Sequence, residues 1–170
     1  MPLGTATIEM QNPEEHRERL HDLVKATRAV LVLSCGHDDR IVGQPMVLLR
    51  TGDDTTMYVA TALDADQVAT LSRDPRVTVV VPGAGCAMFE AEVVVSRDRA
   101  LLDELPGDAW RLWSHGRADP RITILVISPI EGAYWDGAHR HSYQYRLGPR
   151  VPVDLRSDAG GAAVAVAVEA

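Results

Sequence analysis

From Ala87 to Ser96 the side chains alternate without interruption. Ala87, Phe89, Ala91, Val93 and Val95 fall on one face, and Met88, Glu90, Glu92, Val94 and Ser96 on the other. A period of two belongs to a β-strand, and one dry face beside a mostly wet one belongs to an antiparallel sheet with a core on one side. A strand of this length cannot stand alone, so the rest of the chain has to supply its neighbours.

Those neighbours are legible. Ala29 to Ser34 is rich in leucine and β-branched residues and reads as a buried strand, and the turn at 36–39 leads to a second strand from Ile41 to Arg50. Gly52, Asp53 and Asp54 turn the chain again into a third strand, Met57 to Thr61, antiparallel to the second. Val77 to Val81 is apolar at every position and reads as a strand buried on both faces. Ile122 to Ile127 is another strand, Ala133 to Trp135 a short final one, and Tyr143, Tyr145 and Leu147 alternate weakly beyond it.

Helices are short and sit between these runs. Asn12, Pro13 and Glu15 form a helix start, followed by Leu20, Leu23, Val24 and Thr27 on one face, which predicts an amphipathic lid helix. Asp64 and Gln67 repeat the capping pattern for a helix that turns Val68 and Leu71 inward and ends near Pro75. Asp98 caps a helix holding Leu101, Leu102 and Leu105, and Trp110 and Trp113 lie in a further helical piece that docks on the sheet.

About six antiparallel strands without regular strand–helix–strand alternation exclude a doubly wound α/β sheet. Closure into a small Greek-key barrel removes the exposed edges. The expected class is therefore mainly β with short helices, α+β, built on a six-stranded antiparallel barrel. At 170 residues the chain suffices for one core. We place the domain at residues 1–156 and a tail at 157–170, where alanine alternates with valine and an added strand is a further expectation.

Composition removes several functions. A net charge of -7 and no run of basic residues exclude a nucleic-acid binder. No apolar run is long enough to cross a membrane and no signal-type segment opens the chain, so a cytoplasmic location is expected. Cys35 and Cys86 have no metal or redox spacing and are expected to be buried thiols, although His37 stands two residues from Cys35. His139 and His141, with Asp136, would share a strand face but lack a third metal ligand at suitable spacing, so no metal is expected.

The motifs Gln44-Pro45-Met46-Val47-Leu48-Leu49-Arg50, Ser72-Arg73-Asp74-Pro75-Arg76-Val77, Glu92-Val93-Val94-Val95-Ser96-Arg97-Asp98-Arg99 and Glu131-Gly132-Ala133-Tyr134-Trp135-Asp136 occur in this order. In that order and spacing the chain resembles the pyridoxamine 5'-phosphate oxidase-like superfamily, and within it the bacterial general stress proteins. The resemblance runs from about Glu14 to Asp136. It implies an FMN-binding split barrel that works as a homodimer, with the flavin in a groove between two copies and, as one reading, an oxidoreductase activity. It also implies roles: Pro45, Met46 and Val47 beside the ring, Arg50 facing the phosphate, Gln44 at the position of a further phosphate-binding cation, Thr61 and the helix start at Asp64 to Gln67 flanking the phosphate, and Met88 and Phe89 approaching the flavin from the next strand.

The chain departs from the family at two of these positions. Gln44 stands where relatives carry a basic residue, and Gln67 where they carry a lysine, with Asp66 beside it. Residue by residue, plainer roles stand alongside: Arg50 as a surface cation, Met46 and Phe89 as core, Asp64 and Gln67 as helix caps. A true pyridoxamine phosphate oxidase is not expected, because that enzyme's basic C-terminal segment is missing here. A non-catalytic flavin-binding or stress-response module is the alternative. A third reading keeps the barrel but changes the ligand to haem or F420, with His139 and His141 as the paired axial candidates for haem.

Overall fold

The computed structural model describes residues 13–36, 38–83, 85–105, 110 and 116–136, together with the backbone of 141–146. Three helices and seven strands appear there: α1 (Pro13–Lys25), β1 (Ala29–Cys35), β2 (Ile41–Thr51), β3 (Met57–Ala62), α2 (Asp66–Arg73), β4 (Arg76–Val81), β5 (Ala87–Ser96), α3 (Arg99–Glu104), β6 (Ile122–Asp136) and β7 (His141–Arg146). Asn12, the proposed cap of α1, the second tryptophan Trp113, His139 and the tail lie outside the described residues.

All seven strands belong to one sheet in the order β3-β2-β1-β4-β5-β6-β7, and every pairing is antiparallel. A further pairing of β3 with β6 joins the sheet back on itself, so six strands close a barrel and β7 adds to its rim. β6 makes this possible by its length. Residues 122–127 bridge β3 and β5, whereas residues 131–136 bridge β5 and β7.

The sequence suggested two strands where β6 is one. Pro129 accounts for the difference: it has no N–H to give, and the register slips by one residue between Glu90 and Ala91, opposite Glu131 and Pro129. Such a bulge tolerates proline and bends a strand without ending it. β4 also differs from expectation. Its positions alternate between buried and half-exposed, because only one side of it faces the core.

Inside the barrel lie Val30, Val32, Met46, Met57, Val59, Val79, Phe89, Val93, Leu125 and Ile127, with Leu20 and Val24 of α1 and Leu71 of α2 packed against them. Phe89 fills the space opposite Gly132, its cross-strand partner, where a Cβ would come within 2.9 Å of the ring. Gly132 is therefore a matter of room for Phe89.

A second apolar cluster lies outside the barrel. Leu102 and Leu105 at α3, together with Trp110, cover Leu49, Ile122 and Ile124, and Tyr58, Ala60 and Val126 pack at its border. Asp98 caps α3 as the sequence indicated, accepting from the Ala100 N–H at 2.9 Å. Arginines then fasten the following segment: Arg99 donates to the carbonyls of Asp119 and Arg117, and Arg117 to that of Leu105. Both cysteines prove exposed, Cys35 at the end of β1 and Cys86 just before β5, because each stands at the sheet's edge or on its outer side.

Candidate functional site

Strand parity separates the residues that the sequence grouped together. Along β2 and β5, successive side chains point to opposite sides of the barrel wall. Met46 and Phe89 point inward and belong to the core, with Phe89 fully enclosed, so a ligand reaches neither unless the barrel opens. Pro45, Val47 and Met88 point outward. Val47 is 40% and Met88 49% exposed, and Pro45 is also exposed. Gln44, opposite Val32 on β1, shares the inward side of β2 with Met46 and is half-buried.

The outward set is continuous across the sheet. Pro45 pairs with Leu31, Leu31 with Val80, Val80 with Met88, and Met88 with Ala133. Trp135, 45% exposed, extends this row at one side and Ile41, 78% exposed, at the other. Glu90 and Glu131 face each other one pair further along and give the band a polar border. No described element of the chain covers this band, unlike the stretch of outer wall beneath α3.

Arg50 sits at the boundary of the two stretches. Its guanidinium lies 4.2 Å from the centroid of the Tyr58 ring, and Nη1 donates to Glu104 Oε2 at 3.4 Å. Tyr58 is the chief cause that holds its pKa above the ordinary arginine value; burial opposes this and Glu104 adds to it. Thr61 lies three residues along β3 from Tyr58, roughly 10 Å away, and is buried on the inward side with Met57 and Val59. Arg50 and Thr61 therefore stand on opposite sides of the wall.

The start of α2 was read as a capping box from Asp64 to Gln67. The N-cap is instead Ala65, with no side-chain hydrogen bond to it, because a turn in which the Ala65 N–H reaches the Ala62 carbonyl delays the helix past Asp64. Asp64 and Asp66 are exposed there. Gln67 is 9% exposed, and neither its Oε1 nor its Nε2 has a hydrogen-bond partner. A buried amide left so is uncommon and points to a missing partner.

Arg121 was missed by the sequence reading and belongs to this corner. Its carbonyl accepts from the Leu63 N–H at 2.7 Å, and its guanidinium grips the buried Asp119 carboxylate through two bonds of 3.1 and 2.8 Å. Asp119 first and Asp64 also raise the Arg121 pKa. Nothing in the local sequence distinguishes this arginine; only the turn that brings 119–121 against the end of β3 does.

A polar hollow of about 190 Å³ lies elsewhere, between α1 and the β2–β3 turn, lined by Glu14, Arg17, Glu18, His21, Asp53 and Thr55. Thr55 takes φ 68°, a region that a β-branched residue occupies only when held, and its hydroxyl lies 3.2 Å from His21 Nδ1. Ligand pockets for drug-sized molecules are usually apolar and about 300–1,000 Å³, so a flavin ring does not belong there. Among the described residues no group of three or more His, Cys, Asp or Glu side chains is placed to hold a metal ion.

A closed six-stranded antiparallel barrel with short helices between its strands defines a split barrel. The chain belongs to the pyridoxamine 5'-phosphate oxidase like family, whose model matches residues 15–146. Among solved structures it is similar to a protein related to general stress protein 26 from Clostridium acetobutylicum, at 17% identity and TM-score 0.69, over 78% of this chain and 95% of that one. It is also similar to general stress protein 26 from Bacillus anthracis (17% identity, TM-score 0.63, 71% and 93% covered) and to a heme binding protein from Mycobacterium smegmatis (10%, 0.63, 77% and 57%). At these identities the likeness is one of fold. No curated protein sequence matches the chain.

The residues present test the FMN expectation unevenly. The apolar band offers the flat surface that a flavin ring needs. The phosphate end does not fit: the helix start that would receive a dianion is flanked by Asp64 and Asp66, while Arg121 is taken by Asp119 and Arg50 by Tyr58 and Glu104.

Proposed function

We propose that this protein is a flavin-class ligand-binding split barrel that acts as a homodimer, with the ring held where the bare outer bands of two copies meet. The observation that carries this reading is the outward apolar row from Pro45 through Met88 to Ala133 on the barrel of a family member, exposed at Pro45 and Met88 and partly so at Leu31, Val80 and Ala133. Contiguous apolar surface of this kind marks an interface or a ligand groove. A symmetric dimer would cover it with its own copy.

In this reading Pro45, Val47 and Met88 hold the ring, and the protein supplies position and exclusion of water. When bound, a flavin supplies the electron-transfer chemistry of an oxidoreductase. The hydroxyls that meet an imidazole, Thr55 at His21 and Tyr134 at His16, stand on buried residues outside the outer band, which favours a binding or stress-response role over a dedicated catalyst. No described helix is long and apolar enough to cross a membrane, in keeping with a cytoplasmic place of action.

The test is a titration of purified protein with lumiflavin, which is the ring without a charged side chain, followed by flavin fluorescence, together with light scattering for mass. Binding with a dimeric mass supports the proposal. A monomer that leaves lumiflavin fluorescence unchanged refutes it. The heme binding neighbour from Mycobacterium smegmatis motivates one second reading, in which haem occupies the same cleft. A sharp Soret band on adding haem, without any flavin binding, would select it.

A further inference from the structure

Closure of the barrel leaves one strand edge without a neighbour. β1 to β6 each pair on both sides, with β3 and β6 completing the round, whereas β7 pairs with β6 alone. In an antiparallel ladder every second residue directs its N–H and C=O away from the partner strand. Among the described residues no backbone hydrogen bond joins 141–146 to anything but β6. An open edge of this kind is a template for a further strand.

The sequence holds a segment that suits it. Ala163 to Val168, which lies outside the described residues, alternates alanine with valine and has no charge and no proline. Its period is two, where a helix face needs 3.6, so an extended backbone puts Val164, Val166 and Val168 on one side and Ala163, Ala165 and Ala167 on the other. Such a charge-free run is an aggregation hazard when it stays unpaired. The open edge and the run are two liabilities that one pairing removes.

Reach decides which copy supplies the strand. Arg146, the last residue of β7, is joined to Ala163 by residues 147–162, which hold Gly148, Pro149, Pro152 and the pair Gly160-Gly161. That stretch, fully extended, exceeds the length of the six-residue β7, so the chain can turn back along it. Closing a loop of this length costs little more than closing a short one, whereas a segment from another copy gives up the freedom of a whole molecule.

We propose that the free edge of β7 is the docking site for residues 163–168 of the same chain, added antiparallel as an eighth strand that keeps this edge from pairing with other molecules. The pairing uses the edge of the sheet and not its bare outer face, so it holds with or without the ligand proposed above.

Amide hydrogen exchange on the full chain, resolved by residue, tests this. Alternate amides of 163–168 and the edge-facing amides of 141–146 are expected to exchange at least about tenfold more slowly than in an unstructured peptide, and to keep that protection on dilution by about tenfold. Proline has no N–H for a ladder, so one of Ala165→Pro and Val166→Pro, whichever removes the donor that faces β7, is expected to abolish the protection in both segments. With both prolines present the released edge is expected to gather species larger than a dimer in light scattering. Exchange of 163–168 at the unstructured rate overturns the proposal, as does β7 protection that survives both prolines. Protection lost on dilution overturns it by assigning the added strand to another copy, and an unchanged mass with both prolines overturns the guarding role.

Discussion

The outer wall of this barrel is covered on one stretch and bare on another. Beneath α3, residues Leu49, Ile122 and Ile124 are sealed by Leu102, Leu105 and Trp110. Across β2, β1, β4, β5 and the second half of β6, the row Pro45, Leu31, Val80, Met88 and Ala133 has no such cover among the described residues. Both stretches are apolar, so hydrophobicity alone does not say which one the chain will bury itself. The difference lies in connection: the chain between β5 and β6 crosses the first stretch on its way, and no described segment crosses the second. A second copy and a flat ligand are proposed to lie against the bare stretch.

The comparison can be broken most forcefully at the sealed stretch. Trp110→Ala should cost about 3–5 kcal/mol in folding stability, as for other buried tryptophans, and the loss should not depend on protein concentration. A denaturant melt at two concentrations measures it; a loss below about 1 kcal/mol would show that α3 does not seal that wall.

Met88→Asp probes the bare stretch. An unpaired carboxylate at the proposed interface should weaken the proposed dimer about a hundredfold or more, whereas the folded monomer, in which Met88 is half-exposed, should change by no more than about 0.5 kcal/mol. Sedimentation at a series of concentrations reads both. An equal loss of stability in a strictly monomeric sample would mean that the band is internal after all.

Arg50→Ala sharpens the boundary between the two stretches. Its stacking on Tyr58 is worth about 0.5–1 kcal/mol of stability. If that is its role, ligand affinity should stay within about twofold. A drop of tenfold or more in FMN affinity would instead return Arg50 to the phosphate.

The smallest effect concerns the entry to β4, beside the bare band. Asp74 accepts from Arg76 at 2.8 and 2.6 Å, and this pairing, opposed by burial, holds its pKa at about 2 against an ordinary 3.8. A carboxylate with a lowered folded-state pKa adds stability that is complete above its unfolded value and is lost as pH falls through the folded one. Asp74→Asn should therefore lower stability slightly at neutral pH and flatten the profile between about pH 4 and 2, where the natural protein loses that contribution. Arg76 is largely in water and Asp74 partly so, which keeps the effect near the limit of a melting curve. The same profile in Met88→Asp would place the pair wholly within one chain.

Strand positions were legible because alternation is local. The Ala87 to Ser96 pattern came directly from its residues, and the Asp98 cap from its place before an apolar run. The start of α2 was misread because a capping motif fits Asp64 and Gln67 equally well whether or not a turn intervenes. Exposure of Cys35 and Cys86 escaped a composition argument, since cysteine's usual burial says nothing about a sheet edge. The candidate site was legible only as a set of types. Parity then split Met46 and Phe89 from Pro45, Val47 and Met88.

By itself, the sequence determined the antiparallel strands, the short helices between them and the family to which the chain belongs, because side-chain periodicity and motif order are properties of neighbours along the chain. Tertiary structure decided that Pro129 marks a bulge in one long strand, that β3 meets β6, that Arg121 stands beside Asp64, and that the Gln67 amide is enclosed without a partner. Those facts arise between residues far apart in sequence, where burial and pairing are set by closure of the barrel and not by any local preference.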